Sequence, residues 1–261
     1  MLAHRTADGR WNDLDHPTMG AAGTPFGRNV APGHNQPEAE PMLSIPDPRV
    51  VSRTLLTRDQ FLPATTLNVL AAAWLQFEVH DWFRHANETT EPYRFPKREG
   101  DTWPRDEIVI ERTKQTDVPG KFLSEDTHWW DGSQIYGSSE NERAVLRDGA
   151  RVRIEEGTVP GDTFEFKDRH AGFWAGWAAM HTLFALEHNA IVEHLRRAEK
   201  RAWTDEELFE TARLVNAALM AKIHTTEWTP AIIAHPTTQT GMRMNWWGIE
   251  ESPRPVDRLL R

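Results

Sequence analysis

The stretch WLQFEVHDWFRH, residues 74–85, sets a histidine and an aspartate side by side inside an otherwise apolar run. Helical periodicity holds from Thr66 to about Arg84, and the spacing predicts a helix buried on nearly every side. Burying polar groups costs free energy unless each finds a partner, so Gln76, His80 and Asp81 need partners or a ligand. Residues four apart stack on one face, which puts Ala73, Gln76, His80 and Arg84 near one line. The small residues Ala72 and Ala73 let that face approach something flat, with Gln76 and His80 as a polar pocket wall beside a cofactor. Asp81 points about 100° away and serves a different site. A hydrogen bond to a neighbouring loop and a bound cation each explain it; satisfied polar groups in an ordinary core explain all three.

A second stretch bears on Asp81. In THWWDGS, residues 127–133, Thr127, Asp131 and Ser133 offer side-chain oxygens with carbonyls between them, and Gly132 eases a tight loop. Hard cations such as Ca²⁺ take this mixture of carboxylate, hydroxyl and carbonyl oxygen. The spacing is not that of an EF-hand, and a turn closed by Asp side-chain bonds is the plainer alternative.

Outward from these motifs, residues 1–50 are rich in Gly, Pro, Asn and His and read as an extended arm or partly disordered segment. Residues 86–126 read as a Pro-containing loop with a short strand at 107–111. After Ser138 the chain turns helical, with Ser139 and Glu142 spaced for a capping box. The alternation in RVRIEE and TFEFKD, around GTVPGD, predicts a hairpin within 150–168. Trp174, Trp177, His181, Phe184, His188, Ile191 and Leu195 form one helical stripe. Another helix starts at Thr204, with Glu207 completing a capping box and Trp203 with Leu208 a hydrophobic staple. Leu208, Ala212, Val215, Leu219 and Ile223 are its expected buried face. His181 and His188 lie seven residues and roughly 10.5 Å apart along the axis. Ligand nitrogens sit about 2 Å from a metal, so the pair cannot share one and reads as core histidines. The fold class is mainly α.

Composition narrows the function. A formal charge of −9 with no basic stripe argues against nucleic acid as the main partner. With no cysteine there is neither a disulfide framework nor a thiolate metal site. No signal peptide and no run of the ~18–20 apolar residues of a membrane span is visible, so the chain reads as soluble and cytoplasmic by default. Twelve tryptophans against two tyrosines point to a bulky core or an aromatic-lined cavity. No HExxH and no pair of Glu-x-x-His units supports a helical metal hydrolase.

Four segments in order, QFEVHDW (76–82), THWWDGSQIYGS (127–138), MHTLFALEHNAI (180–191) and LFETARLVNAALMAKIHTTEWTPAIIAHP (208–236), resemble the animal-type haem peroxidase superfamily. WWDGS and HTTEWTPAII are most similar to its microbial and alpha-dioxygenase-like branch. The resemblance covers most of residues 5–250 and implies a helical peroxidase fold incomplete at the C-terminus. Residues 1–50 are then the arm, and 51–261 the distal half of the haem domain.

What the resemblance implies follows residue by residue. His80 matches the distal histidine above the haem iron, and Gln76 the glutamine lining the same pocket. Asp81 matches a calcium ligand, and Thr127, Trp129 (by its carbonyl), Asp131 and Ser133 the calcium loop. A cation there would clamp the loop to the helix and steady the histidine. His80 would take a proton from hydrogen peroxide and return it to the departing oxygen, while the redox chemistry belongs to the cofactor. The oxidised partner is an organic electron donor or, in a dioxygenase, a fatty acid. Val79 and Phe173 stand where some members carry carboxylates ester-linked to haem, so non-covalent haem b is expected. The family's catalytic arginine aligns near His170, which makes Arg169 the candidate. The proximal histidine, and the tyrosine that separates dioxygenase from peroxidase, would lie beyond Arg261. The chain therefore reads as the N-terminal part of a longer enzyme with a missing C-terminal segment and weak or no catalysis alone. The alternative is a non-catalytic, calcium-stabilised helical module.

Overall fold

Asn68 starts the helix that carries the first motif: its side-chain Oδ1 accepts from the amide of Leu70 at 3.0 Å. The computed structural model describes residues 5–34, 45–82, 84–160, 174–199 and 201–249. After a short helix α1 (Pro48–Val51), α2 runs Val69–Trp82. It is shorter at both ends than the predicted 66–84, because the Asn68 cap sets its first turn.

The second motif follows as α3 (Ser133–Tyr136) and α4 (Glu140–Leu146). Ser139 caps α4 by accepting from the Glu142 amide at 3.2 Å. The return half of the box is shifted by one residue, since Glu142 accepts from the amide of Ser138 at 2.7 Å. Two long helices complete the body, α5 (Ala175–Ala198) and α6 (Asp205–Lys222), the latter with both halves of the Thr204–Glu207 capping box. A π-helical turn, Ile223–Trp228, leads to α7 (Thr229–Ile232) and α8 (Pro236–Trp247). Among the described residues no helix is long and apolar enough to cross a membrane.

Strands are few and paired antiparallel in twos: β1 (Pro25–Phe26) with β4 (Phe122–Leu123), β2 (Asn87–Pro96) with β3 (Glu107–Thr113), and β5 (Arg147–Asp148) with β6 (Arg151–Val152). The predicted strand at 107–111 is β3, but its partner β2 falls in a stretch read as loop. Pro92 and Pro96 mask it, and the register slips between Glu88 and Tyr93, around the Pro92 that has no amide to donate. Of the expected 150–168 hairpin only the first half is described: β6 turns back onto β5 through Gly149, at φ 56°. The stretch 163–168 lies outside the described residues.

α5 packs against both α2 and α6. Trp74 and Phe77 of α2, Tyr136 of α3, Trp177 and Phe184 of α5 and Phe209 of α6 share one core. Phe77 stacks on Phe184, with ring centroids 5.2 Å apart. The α5 stripe is as expected from Trp177 to His188, with Trp174 as the cap residue before it. The α6 face is not. Val215 is 45% exposed and Leu219 half-buried, while Phe209, Glu210, Arg213, Asn216, Ala217 and Met220 are buried. The helix is turned by about one residue because its buried charges are paired across the fold. Trp177 is core, and Trp74, Trp82, Trp130 and Trp228 pack around the ring of His224.

Candidate functional site

The arm fixes the 127–133 loop from outside. The indole Nε1 of Trp129 donates to the carbonyl of Met19 at 2.8 Å, and the amide of His128 to that of Gly20 at 2.8 Å. The approach is close: a Cβ on Gly9 would sit 2.3 Å from Thr127 Oγ1, and one on Gly20 2.8 Å from Trp129 Nε1. Both glycines also hold positive φ, 77° and 67°.

From inside, α2 meets the same loop through Asp81. Its Oδ1 accepts from the Ser133 amide at 2.8 Å and from the Ser133 hydroxyl at 3.2 Å. Asp131 Oδ2 accepts from the Thr127 hydroxyl at 3.1 Å, and the Trp129 carbonyl from the Asp131 amide at 2.8 Å. Asp81, Thr127, Trp129, Asp131 and Ser133, singled out from sequence, thus meet in one tight knot. Asp131 Oδ1 is buried without a hydrogen-bond partner among the described residues. Burial, then the charge of Asp131, then that of Glu78, pushes the Asp81 carboxyl well above the usual range, against the bonds from Ser133. Burial likewise raises Asp131 to about 6, against the pull of Arg213. Among the described residues no three His, Cys, Asp or Glu side chains gather as a metal site. This knot has only two carboxylates, its other oxygens being hydroxyls and a carbonyl.

The outer side of α2 is open, which corrects the expectation of a helix buried almost all round. Val69, Leu70 and Leu75 are 62%, 55% and 47% exposed. Ala72 is exposed while Ala73 is buried, so the two small residues do not share a face. Gln76, Val79 and His80 are half-buried between open and packed sides. Gln76 Oε1 accepts from the Trp174 indole at 2.6 Å. His80 rests edge-on against Trp177, centroids 5.4 Å apart, with its Nδ1 enclosed. Behind it lies a cavity of about 20 Å³ touched by Arg84, Asp126, Gln134, Trp177 and His181, room for one water. Arg84 has left the predicted line with Gln76 and His80 and pairs with Glu125 at 2.7 Å and Asp126 at 3.1 Å. Arg169, His170 and Phe173 lie outside the described residues.

His188 is a core histidine. Its Nε2 faces the Ala150 carbonyl at 3.1 Å and its Nδ1 the Tyr136 hydroxyl at 2.9 Å, so Nε2 donates and Nδ1 accepts. Burial lowers it to about 4. His181 is buried against the edges of Phe77 and Trp177.

Two residues escaped the sequence reading. Glu78 is fully buried with no partner for either carboxylate oxygen among the described residues, and burial raises it to about 8. Arg213 reaches Asp131 from α6, 82 positions along the chain. An acid inside an apolar run marks Glu78 in the sequence, but nothing local marks Arg213.

The sequence matches the family described as animal haem peroxidase over residues 4–257. Alpha-dioxygenase PIOX of Pisum sativum is 36% identical over 260 residues, which cover 94% of this chain and 39% of that protein. The crystal structure of Oryza sativa fatty acid alpha-dioxygenase matches with TM-score 0.82 and 31% identity, over 94% of this chain and 41% of that one. The fatty acid alpha-dioxygenase of Arabidopsis thaliana gives TM-score 0.82 and 32% identity, over 94% and 39%. The chain spans about two-fifths of the length of these relatives. With this helical fold, and a match over nearly its whole length, the chain belongs to the animal haem peroxidase family.

Proposed function

We propose that residues 51–261 form the distal half of a haem-dependent oxidoreductase domain, with residues 1–50 as its arm. In this reading the open side of α2 holds the distal face of haem b, flanked by Gln76 and His80. One observation carries it: α2 is packed on the side of Phe77 and Asp81 and left apolar and open on the side of Val69, Ala72 and Leu75. Val79 offers no carboxylate for an ester link, which fits a non-covalent haem. When bound, haem supplies the redox chemistry, cleavage of hydrogen peroxide and oxidation of a donor.

His80 handles the proton. Because Nδ1 is enclosed, exchange with hydrogen peroxide falls to Nε2, which takes the proton from one oxygen and returns it to the departing one. Gln76 is steadied by the Trp174 indole and so keeps a fixed orientation beside it. Arg169 is the candidate for electrostatic help, on sequence alone.

The 127–133 loop holds calcium, with oxygens from Asp81, Thr127, Asp131 and Ser133 and the carbonyl of Trp129. The buried, partnerless Asp131 Oδ1 and two carboxyls raised by burial fit a hard cation, which would relieve both. The ion ties α2 to the loop next to His80 and so steadies the imidazole.

The donor is an organic molecule or, as the names of the plant relatives suggest, a fatty acid. Titrating the chain with hemin tests the proposal. A shifted Soret band that His80→Ala abolishes supports it. No shift in the wild type leaves the second reading, a calcium-held helical module without haem.

A further inference from the structure

Arg213 of α6 is 2% exposed and reaches two other segments, the arm and the 127–133 loop. Its Nη2 lies 3.6 Å from Asp131 Oδ2 and 3.5 Å from the Thr6 carbonyl, and its Nε donates to the Asp131 carbonyl at 3.4 Å. Its Nη1 lies 3.6 Å from Glu210 Oε2. The guanidinium cannot swing away freely, because Glu210 is itself ion-paired to Arg143. Arg143 also meets Glu206 at 2.8 Å, and Glu206 meets Arg147 at 2.5 Å. Alternating charges therefore run from Arg147 near the surface to the buried Asp131.

The two oxygens of Asp131 are treated differently. Oδ2 faces Arg213 and accepts from Thr127; Oδ1 is buried with no hydrogen-bond partner among the described residues. We propose that Arg213 is a positioning residue that occupies one Asp131 oxygen, leaving the other for the cation, and so makes the loop favour a divalent over a trivalent ion. The inference rests on the calcium reading of this loop. Arg213 sets one positive charge beside Asp131, and each added charge on the ion adds repulsion from it. With roughly 6 Å between guanidinium and ion, even the dielectric of water makes that repulsion worth about tenfold in affinity for a divalent ion and about thirtyfold for a trivalent one.

The test uses the full chain stripped with EDTA, titrated with Ca²⁺ by calorimetry and with Tb³⁺ by tryptophan-sensitised luminescence. Waters on bound Eu³⁺ are counted from lifetimes in H₂O and D₂O. Arg213→Met should bind Ca²⁺ about tenfold and Tb³⁺ about thirtyfold tighter, and Eu³⁺ should lose one water as Asp131 turns both oxygens to the ion. Glu210→Gln/Arg213→Met, which removes the stranded acid, should do the same if the single variant fails to fold. Arg213→Lys keeps the charge and should keep the wild-type Ca²⁺/Tb³⁺ ratio. A folded Met variant with wild-type ratio and water count overturns the proposal, as does a Lys variant whose ratio moves about threefold, as far as the Met variant's. A wild type that binds neither ion overturns the calcium reading itself.

Discussion

Replacing Glu78 by Met should stabilise the chain and flatten its alkaline stability profile. Glu78 has 0% exposure and no partner for either oxygen, and burial raises its carboxyl from 4.5 to about 8. The folded chain therefore keeps a proton that the unfolded chain has released, and stability falls as pH rises through 4.5 to 8. Each pH unit across that window costs about 1.4 kcal/mol, so about 5 kcal/mol is forfeited by pH 8. Below pH 4.5 the acid is neutral in both states and contributes nothing to the slope. Met is close in volume and has no charge to desolvate, so it should remove the penalty without opening a cavity. Urea unfolding of both proteins at pH 5, 6, 7 and 8 in EDTA measures the effect. Asp131 is raised in both proteins, while Asp81 also feels the Glu78 charge, so the difference between the curves reports position 78 together with its effect on Asp81. The gap should be under about 1 kcal/mol at pH 5 and widen to about 4–5 at pH 8. Parallel curves would refute the reasoning and mean that the Glu78 carboxyl finds a charge partner or water.

Asp81→Asn should abolish the Ca²⁺-dependent rise in Tm, roughly 5–10 °C for the wild type at one hundred times Kd, measured by calorimetry. A rise of equal size in the variant would remove Asp81 from the ligand set. His188 is lowered from 6.5 to about 4, so the unfolded chain takes up a proton before the folded one does. Stability is therefore lost as pH falls from 6.5 to 4, by about 3 kcal/mol. His188→Gln should flatten that acid limb in urea titrations. Thr204→Ala removes the α6 cap and should cost about 1 kcal/mol in the same assay, with the pH profile unchanged.

The parts of the site that sequence made legible are those whose partners sit at regular or short spacing. Gln76 and His80 are one turn apart on α2, with Asp81 round the helix from them. The loop oxygens at 127, 129, 131 and 133 alternate along one bend. The Thr204 cap was legible for the same local reason. Glu78 was not, because its burial depends on whether another part of the fold brings it a cation or donor, and none arrives. The face of α6 is legible only in part: apolar periodicity marks Leu208 and Ala212, which are buried, but cannot mark buried polar residues. Arg213 and Asn216 are instead paired inside, to Asp131 and Tyr136, residues 82 and 80 positions away. Strand β2 was hidden by its prolines. The open side of α2 was read as buried, since an apolar stripe looks the same whether chain or ligand covers it.

An iron-edge anomalous difference map, from crystals of the chain grown with hemin and Ca²⁺, tests the central claim most directly. The iron peak should lie over the open side of α2 beside the His80 imidazole, with Ca²⁺ density between Asp81 and the 127–133 loop. An iron peak elsewhere on the molecule, or His80 turned away from it, would contradict the account.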